Sequence, residues 1–290
     1  MTQKQAPLVP VPATDLTASP RQPLGRSFYN PLGHALELQR GLEDALATRV
    51  EPTDVGAAIF RDELRRVASL NLLRVEGPRP DVAAADLMAE ADRLQAGLPH
   101  RAVRVEDESD GIRLAPGFGA SGWVPRRSAV MALRRLPDRP VDRSAVSEVE
   151  IERLQVAREA SLRQVERDLD LAAEAVTAGA LPADAFRLHA YAALVGTEVA
   201  AYCLLRVGDG AAKLTEVSAL ARSQGHGVGR AVIWAAAAAA RRARCQLVFA
   251  ECGDEEWEKA TYRRLGFDEV GHMHRFVRPW GDEDALPLQV

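Results

Sequence analysis

The chain is poor in several features that commonly declare a function, and each shortage excludes something. It has three cysteines, Cys203, Cys245 and Cys252, an odd number without metal-ligand spacing. Neither a disulfide framework nor a zinc module follows from them; Cys203 and Cys245 read as small core residues in a reducing compartment. No apolar run is long enough to cross a bilayer. The longest, Ala231 to Ala240, is mostly alanine and is followed by Arg241-Arg242. The start is Pro-rich and polar, unlike a secretory leader. Neither sign of charge dominates, because 37 Lys and Arg against 41 Asp and Glu leave a net charge of −4. No basic stretch marks a nucleic-acid footprint. The expectation is a cytoplasmic protein with no membrane and no nucleic-acid partner, a monomer or homodimer.

Apolar residues make up 47% of 290 residues, enough for a sizeable core and a length that suits two domains. Met1 to Arg26 holds Pro7, Pro10, Pro12, Pro20 and Pro23 and reads as a disordered tail, 1–26. In the segment 27–136, Asp54 is a candidate cap for a helix running to Val67. Asn71 to Val75 is strand-like, and Asp81 is a candidate cap for a helix from Val82 to Gln95. His100 to Glu106 alternates as a strand, Asp107 to Gly119 reads as helical or irregular, and Trp123 to Leu133 returns as a strand interrupted at Pro125. Two prolines in Leu136-Pro137-Asp138-Arg139-Pro140 mark a linker, 137–143. Leu154, Leu162, Val165, Leu169, Ala172 and Val176 then recur at helical spacing in a run that Gly179 and Pro182 end. Leu188 to Val195 and Glu198 to Val207 form a hairpin about Gly196-Thr197.

The most informative stretch is Arg222-Ser223-Gln224-Gly225-His226-Gly227-Val228-Gly229-Arg230, between the strand Lys213 to Leu220 and a helix from Arg230 to Arg244. A helix N-terminus presents unpaired N–H groups and partial positive charge, and glycine lets a backbone come close to a ligand. That combination predicts a pyrophosphate seat. A Walker loop is excluded, since Gly229 is followed by Arg230-Ala231 rather than Lys-Ser or Lys-Thr. A dinucleotide fingerprint is excluded by the G-x-G-x-G spacing. A short apolar strand, Gln246 to Ala250, follows; then a helix from Glu255 to Leu265 stops at Gly266, and Met273 to Val277 is a last strand.

Strand, helix, strand, helix, strand thus describes both Asn71–Leu133 and Leu214–Val277. Gly122-Trp123 and Gly266-Phe267 lie 144 residues apart, and Val105-Glu106 and Ala250-Glu251 lie 145 apart. An internal duplication is one reading; an unrelated α/β segment with chance spacing is the other. Where the second copy has its glycine loop, the first has Gly77-Pro78-Arg79-Pro80-Asp81, whose prolines remove donors. The first copy is not expected to hold the same ligand.

The loop resembles the acyl-CoA loop of the GNAT superfamily of N-acetyltransferases, Gln/Arg-x-x-Gly-x-Gly/Ala. Gln224-x-x-Gly227-x-Gly229 fits best, and Arg222-x-x-Gly225-x-Gly227 fits as well. A second match is Tyr262-Arg263-Arg264-Leu265-Gly266-Phe267, similar to the family's helix ending Tyr-x-x-x-Gly-Phe. The departures are Glu255 and Glu258, where the family often has Asn and Ala. The resemblance implies an α/β acyl-CoA N-acyltransferase fold, with a mixed, mostly antiparallel sheet flanked by helices. Here it would be two tandem lobes: a degenerate one at 27–136 and a catalytic one at 144–280, before a tail at 281–290. It implies acetyl-CoA as cosubstrate and no metal. The main chain of Val217 and Ala219 would meet the pantetheine arm. Arg222, Gln224, Gly225, His226, Gly227, Val228, Gly229 and Arg230 would hold the phosphates. Glu216 would serve as base and Tyr262 as acid in direct transfer to an amine.

Each role has a plainer competitor. Glu216 also reads as a salt-bridged strand carboxylate, and Tyr262 as a half-buried helix aromatic. His226 reads as an exposed loop side chain. His272 and His274 share a strand face and make a conceivable metal pair, but a solvated face competes. Glu251 and Asp254 either line the acceptor site or are loop charges. Trp257 and Trp280 read as packing residues, and Arg241, Arg242 and Arg244 as a helix end complementing the dipole. The acceptor stays open among an antibiotic, an amino acid, a polyamine and a protein amine. A non-catalytic acyl-CoA-binding scaffold is the alternative function; transfer from an aminoacyl-tRNA is a third reading that the lack of a basic stretch disfavours.

Overall fold

A computed structural model describes residues 30–164, 166, 168–254 and 256–279. The expected tails at 1–26 and 281–290, and Val165, Glu255 and Trp280, lie outside the described residues. The described residues from Pro31 onward form one compact unit. Its elements in chain order are α1 (Pro31–Leu46), β1 (Arg49–Thr53), β2 (Gly56–Phe60), β3 (Leu72–Val75), α2 (Ala84–Leu94), β4 (His100–Val105), α3 (Glu108–Ala120) and β5 (Val124–Leu133). Then follow β6 (Val146–Val149), α4 (Gln155–Leu162), α5 (Leu169–Ala180), β7 (Arg187–Val195), β8 (Glu198–Gly208), β9 (Ala211–Ala219), α6 (Val228–Arg242), β10 (Leu247–Gly253), α7 (Glu256–Arg264) and β11 (Phe267–Pro279).

All eleven described strands join one sheet in the order β1-β2-β3-β4-β11-β5-β10-β9-β8-β7-β6. Only β3/β4 and β9/β10 are parallel; every other neighbouring pair is antiparallel. Side chains alternate between faces along each strand. One face meets α1, α4 and α5, as in the clusters of Leu38 with Val130 and Phe249 and of Ala157 with Tyr202 and Leu204. The other meets α6 and α7, with Ala236 and Ala237 against Cys203 and Leu205. The alanine run packs because it has no bulk: Ala236 and Ala237 are fully buried.

The element order β3-α2-β4-α3-β5 recurs as β9-α6-β10-α7-β11, and the last strand of each set crosses to the other half. β5 follows α3 yet pairs with β10, whereas β11 follows α7 yet pairs with β4. The two crossing strands pair with each other from Phe267↔Leu133 to Val277↔Val124, with a bulge between Glu269 and Gly271. Phe276 of β11 therefore enters the core of the first half. It stacks on Phe118 with ring centroids 4.1 Å apart, and Phe118 meets Trp123 edge-on at 5.0 Å.

Several expected elements differ. The helix proposed to run from Asp54 to Val67 is instead the strand β2 and the turns after it. Asp54 sits in the β1–β2 turn, and a Cβ at Gly56 would lie 2.4 Å from the Arg74 carbonyl of β3, an approach only glycine permits. α2 starts later than expected, where Asp86 accepts from the Ala83 N–H at 3.2 Å. β5 runs unbroken through Pro125, because Pro125 pairs with Phe276 on one side and lies beyond β10, whose pairing stops at Ser128. The single helical run from Leu154 to Val176 is two helices. Asp168 caps the second by accepting from Asp170 and Leu171 N–H at 3.0 and 3.1 Å. β11 is much longer than the expected 273–277, since it pairs along two neighbours. No described helix is long and apolar enough to cross a membrane.

The exchange makes each half depend on the other's last strand. Phe276→Ala is expected to cost about 3–5 kcal/mol and to lower the stability of the whole unit. Chemical denaturation followed by both fluorescence and circular dichroism should show one transition; two resolved transitions would show that the halves unfold independently.

Candidate functional site

β9 and β10 pair only from Ala211↔Leu247 to Leu214↔Ala250. Beyond that point they part. β9 continues with β8 as far as Ala219↔Ala201, while β10 continues with β5 as far as Gly253↔Ser128. The parting coincides with a bulge in β9, where the register to β8 shifts between Thr215 and Ser218 and Glu216 takes a left-handed φ of 44°. A cavity of about 950 Å³ occupies the opening. One end is walled by the glycine loop and α7; the other reaches through the parted strands to α1, α4 and α5.

The loop is shaped by backbone conformation. Gly225 and Gly227 have φ of 80° and 78°, and a Cβ on either would meet nothing within 4 Å. Glycine is needed there for its left-handed conformation, and the space beside it stays open. Gly229 packs close, with a Cβ position 3.7 Å from Ala219. The first helical bond of α6 runs from the Ala231 N–H to the Gly227 carbonyl at 3.0 Å. The N–H groups of Val228, Gly229 and Arg230 precede it and have no intrahelical acceptor. Gln224 braces the loop by donating to the Ala219 carbonyl at 3.3 Å. His226 is exposed, with Nδ1 3.0 Å from the Gln224 carbonyl oxygen. Arg230 lines the cavity, and its buried Nε has no partner among the described residues. The side chains of Arg222 and Trp257 lie outside those described.

Glu216 lines the cavity as expected but is not a free carboxylate. Arg158 of α4, 1% exposed, donates from Nε and Nη2 to its two oxygens at 2.6 and 2.7 Å. The same Nη2 reaches the Val176 carbonyl of α5 at 2.6 Å. Gly179 makes room, since a Cβ there would fall 1.5 Å from a Glu216 oxygen. Both carboxylate oxygens of Glu216 are therefore engaged within the protein.

Tyr262 lines the same cavity from α7 and packs edge-on against Phe267 at 5.3 Å. Burial holds its phenol well above the usual tyrosine pKa, with the neighbouring Cys203, Cys252 and Glu258 adding to the effect. Its neighbour Cys252 is pushed up to about 12 by burial, so it stays a thiol. Where the strands part, the Lys213 ammonium donates to Gln39 Oε1 at 2.6 Å and lies 3.6 Å from Glu251. Burial alone would raise the Glu251 carboxyl, but Lys213, Arg275 and Arg104 outweigh it and hold it below the ordinary range. Glu258 also lines the cavity.

His272 and His274 are not a solvated face. Both are buried, with His272 Nδ1 3.0 Å from Glu108 and Nε2 3.1 Å from Glu269. Arg127 reaches Asp254 at 2.6 Å in the same cluster, which places Asp254 in an ion-pair network away from the cavity lining. Among the described residues no group of three or more His, Cys, Asp or Glu has a metal-holding arrangement.

The first half lacks a counterpart opening. β3 and β4 stay paired to Val75↔Val105, and the Glu106 N–H still reaches the Val75 carbonyl at 3.3 Å. Arg74 pairs with Glu43 of α1 at 3.2 Å and with Glu76 at 2.7 Å, and Arg40 pairs with Glu106. In the turn that stands where the glycine loop would be, the Asp110 carboxylate accepts from the Arg79 N–H. Sequence reasoning missed Arg206, Lys213 and Gln39, which line the cavity from elements far apart in the chain, and Arg158, which grips its Glu216.

Residues 151–267 match the model of the Acetyltransferase (GNAT) family. That segment is similar to the acetyltransferases of the GNAT family. No curated protein matches the chain. Among solved structures it resembles a functionally unknown conserved protein from Staphylococcus epidermidis, at 13% identity and TM-score 0.60, over 80% of this chain and 94% of that one. It also resembles a GCN5-related N-acetyltransferase from Kribbella flavida, at 17% identity and TM-score 0.56, over 88% and 98% of the two chains. A tandem GNAT protein from the clavulanic acid biosynthesis pathway is similar at 16% identity and TM-score 0.50, over 86% and 96%. These likenesses are likenesses of fold.

The Arg158–Glu216 pair is expected to be structural. Arg158→Met strands a buried carboxylate and should cost about 3–5 kcal/mol, most of which the double variant Arg158→Met/Glu216→Leu should recover. Urea unfolding of the three proteins measures both. A single variant as stable as the parent would show that the pair contributes nothing.

Proposed function

We propose that the chain is an acetyl-CoA-dependent N-acyltransferase that brings donor and amine together in one ternary complex. The observation that carries the reading is the parting of β9 and β10 into one cavity bounded by both a left-handed glycine loop and a buried tyrosine. The donor's groups fit the residues present. The free N–H groups at the start of α6 and the unpartnered Nε of Arg230 suit a pyrophosphate. The unpaired edge of β9 at Val217 and Ala219 suits the amides of a pantetheine arm. A bound acyl-CoA supplies an activated acyl carbon and a thiolate leaving group. Tyr262 keeps its proton by burial and is suited to deliver it within the cavity. Arg158 and Glu216 hold the bulge that keeps the strands apart. We infer no general base from the described residues, so positioning carries most of the rate enhancement, and the amine arrives neutral or loses its proton to water. We further propose that the first half holds no coenzyme and that the two halves arose by duplication, a reading the repeated element order supports. The three unpaired cysteines suit a reducing, cytoplasmic setting.

The alternative is a non-catalytic acyl-CoA-binding protein, which the engaged state of Glu216 keeps in play. Release of free thiol from acetyl-CoA with a panel of amines separates the two, because a scaffold binds without turnover.

Gly227→Val should raise the Kd for coenzyme A at least about tenfold, since a β-branched residue is strained at positive φ; unchanged affinity by isothermal titration would reject the loop as the phosphate seat. Tyr262→Phe should lower kcat about 10²-fold or more with donor affinity kept. In the parent, kcat/KM should rise with pH as the acceptor amine loses its proton. The raised phenol pKa means that Tyr262 stays protonated, so no falling limb from this group is expected up to pH 10.

A further inference from the structure

The end of the cavity remote from the glycine loop has its own chemistry. Arg206 of β8 stands directly across from Lys213 of β9 and lines the cavity beneath α5. It is 3% exposed. Its Nη2 donates to the Gly179 and Leu181 carbonyls at 2.9 and 3.0 Å, closing the C-terminal end of α5. Its Nη1 has no partner, and no carboxylate lies within ion-pair distance of it among the described residues. Burial pulls its guanidinium down from the usual range, partly offset by the charge of Glu216.

The acids around it are already answered. Glu43 is taken by Arg74 and Arg104, Glu216 by Arg158, and Glu251 lies against Lys213. A buried cation with donors left over is unfavourable unless an anion meets it. A fully cationic ligand such as a polyamine would find no unpaired acid among these three and would face Arg206. Nη1 carries two N–H groups, which suit one carboxylate.

We propose that the acceptor is an amine that also carries a carboxylate, held by Arg206 Nη1 with its amino group turned toward Tyr262. The inference rests on the acyl-transfer reading and narrows it to amino-acid-like substrates. Arg206 touches no reacting atom in this arrangement; it positions the substrate.

The test uses the full chain with acetyl-CoA and matched sets of amines. Glycine, β-alanine, γ-aminobutyrate, ornithine and lysine are each compared with their methyl ester and their decarboxylated amine, by thiol release and by calorimetric titration into the coenzyme complex. At least one free acid should exceed its ester and its decarboxylated amine about 10–100-fold in kcat/KM, the worth of one charge-assisted hydrogen bond. Arg206→Gln should reduce that ratio to near one by raising KM with little change in kcat, and Arg206→Lys should restore part of it. The comparison within the parent protein stands even if Arg206→Gln fails to fold. Esters or decarboxylated amines that serve as well as the acids would overturn the proposal. So would a protein that binds coenzyme A yet neither binds nor acylates any of the acids. Failure to bind coenzyme A would instead remove the acyl-transfer reading itself, and this inference with it.

Discussion

Two parallel strands that begin as neighbours normally stay neighbours, because each further residue adds a ladder hydrogen bond. β9 and β10 give this up after Leu214 and Ala250. Each keeps its outer neighbour, β8 for β9 and β5 for β10, while the edges that faced each other are left open. The bulge at Glu216 adds the residue that swings β9 aside, and the left-handed backbone it needs is disfavoured for glutamate. The Arg158 fork, the Val176 carbonyl and the absent side chain of Gly179 together hold that conformation. The opening is therefore held by contacts within the chain.

The same accounting explains why only one half opens. In the second half, α6 starts with bare N–H groups beside open space. In the first half, the corresponding turn is bonded to Asp110, the strands remain zipped, and α1 lays Arg40 and Glu43 onto the strand ends. Charges of α1 thus close the first half, while Gln39 on the same helix helps to build the floor of the cavity in the second. One helix serves both halves with opposite effect.

Much of this could be read along the chain, and the reason is local. The glycines at 225 and 227 declare themselves because a positive φ is a property of one residue. The hairpin about Gly196 and the helix stop at Gly266 are legible for the same cause, with φ of 63° and 91°. Tyr262 is singled out by the resemblance of Tyr262 to Phe267 to the family's Tyr-x-x-x-Gly-Phe pattern. What escaped was long-range. Arg158 meets Glu216 from 58 residues away, and nothing in either neighbourhood announces it. Ala57 and Ala58 favour helix by intrinsic propensity, yet pairing with β1 and β3 overrides it. The exchange of β5 and β11 is invisible in principle to a reading of element order, because the order is identical whether each strand stays home or crosses.

That exchange also bears on how the protein comes into being. Synthesis delivers the first half long before the strand Phe267–Pro279, the last described element to leave the ribosome. Until then β4 has an unpaired edge, and the slot beside Phe118 and Trp123 lacks its third ring. Domains usually mature one after another as they emerge. Here the first half has to wait, exposed, for the end of the chain, and a ribosome that stalls late releases a product with two unfinished cores.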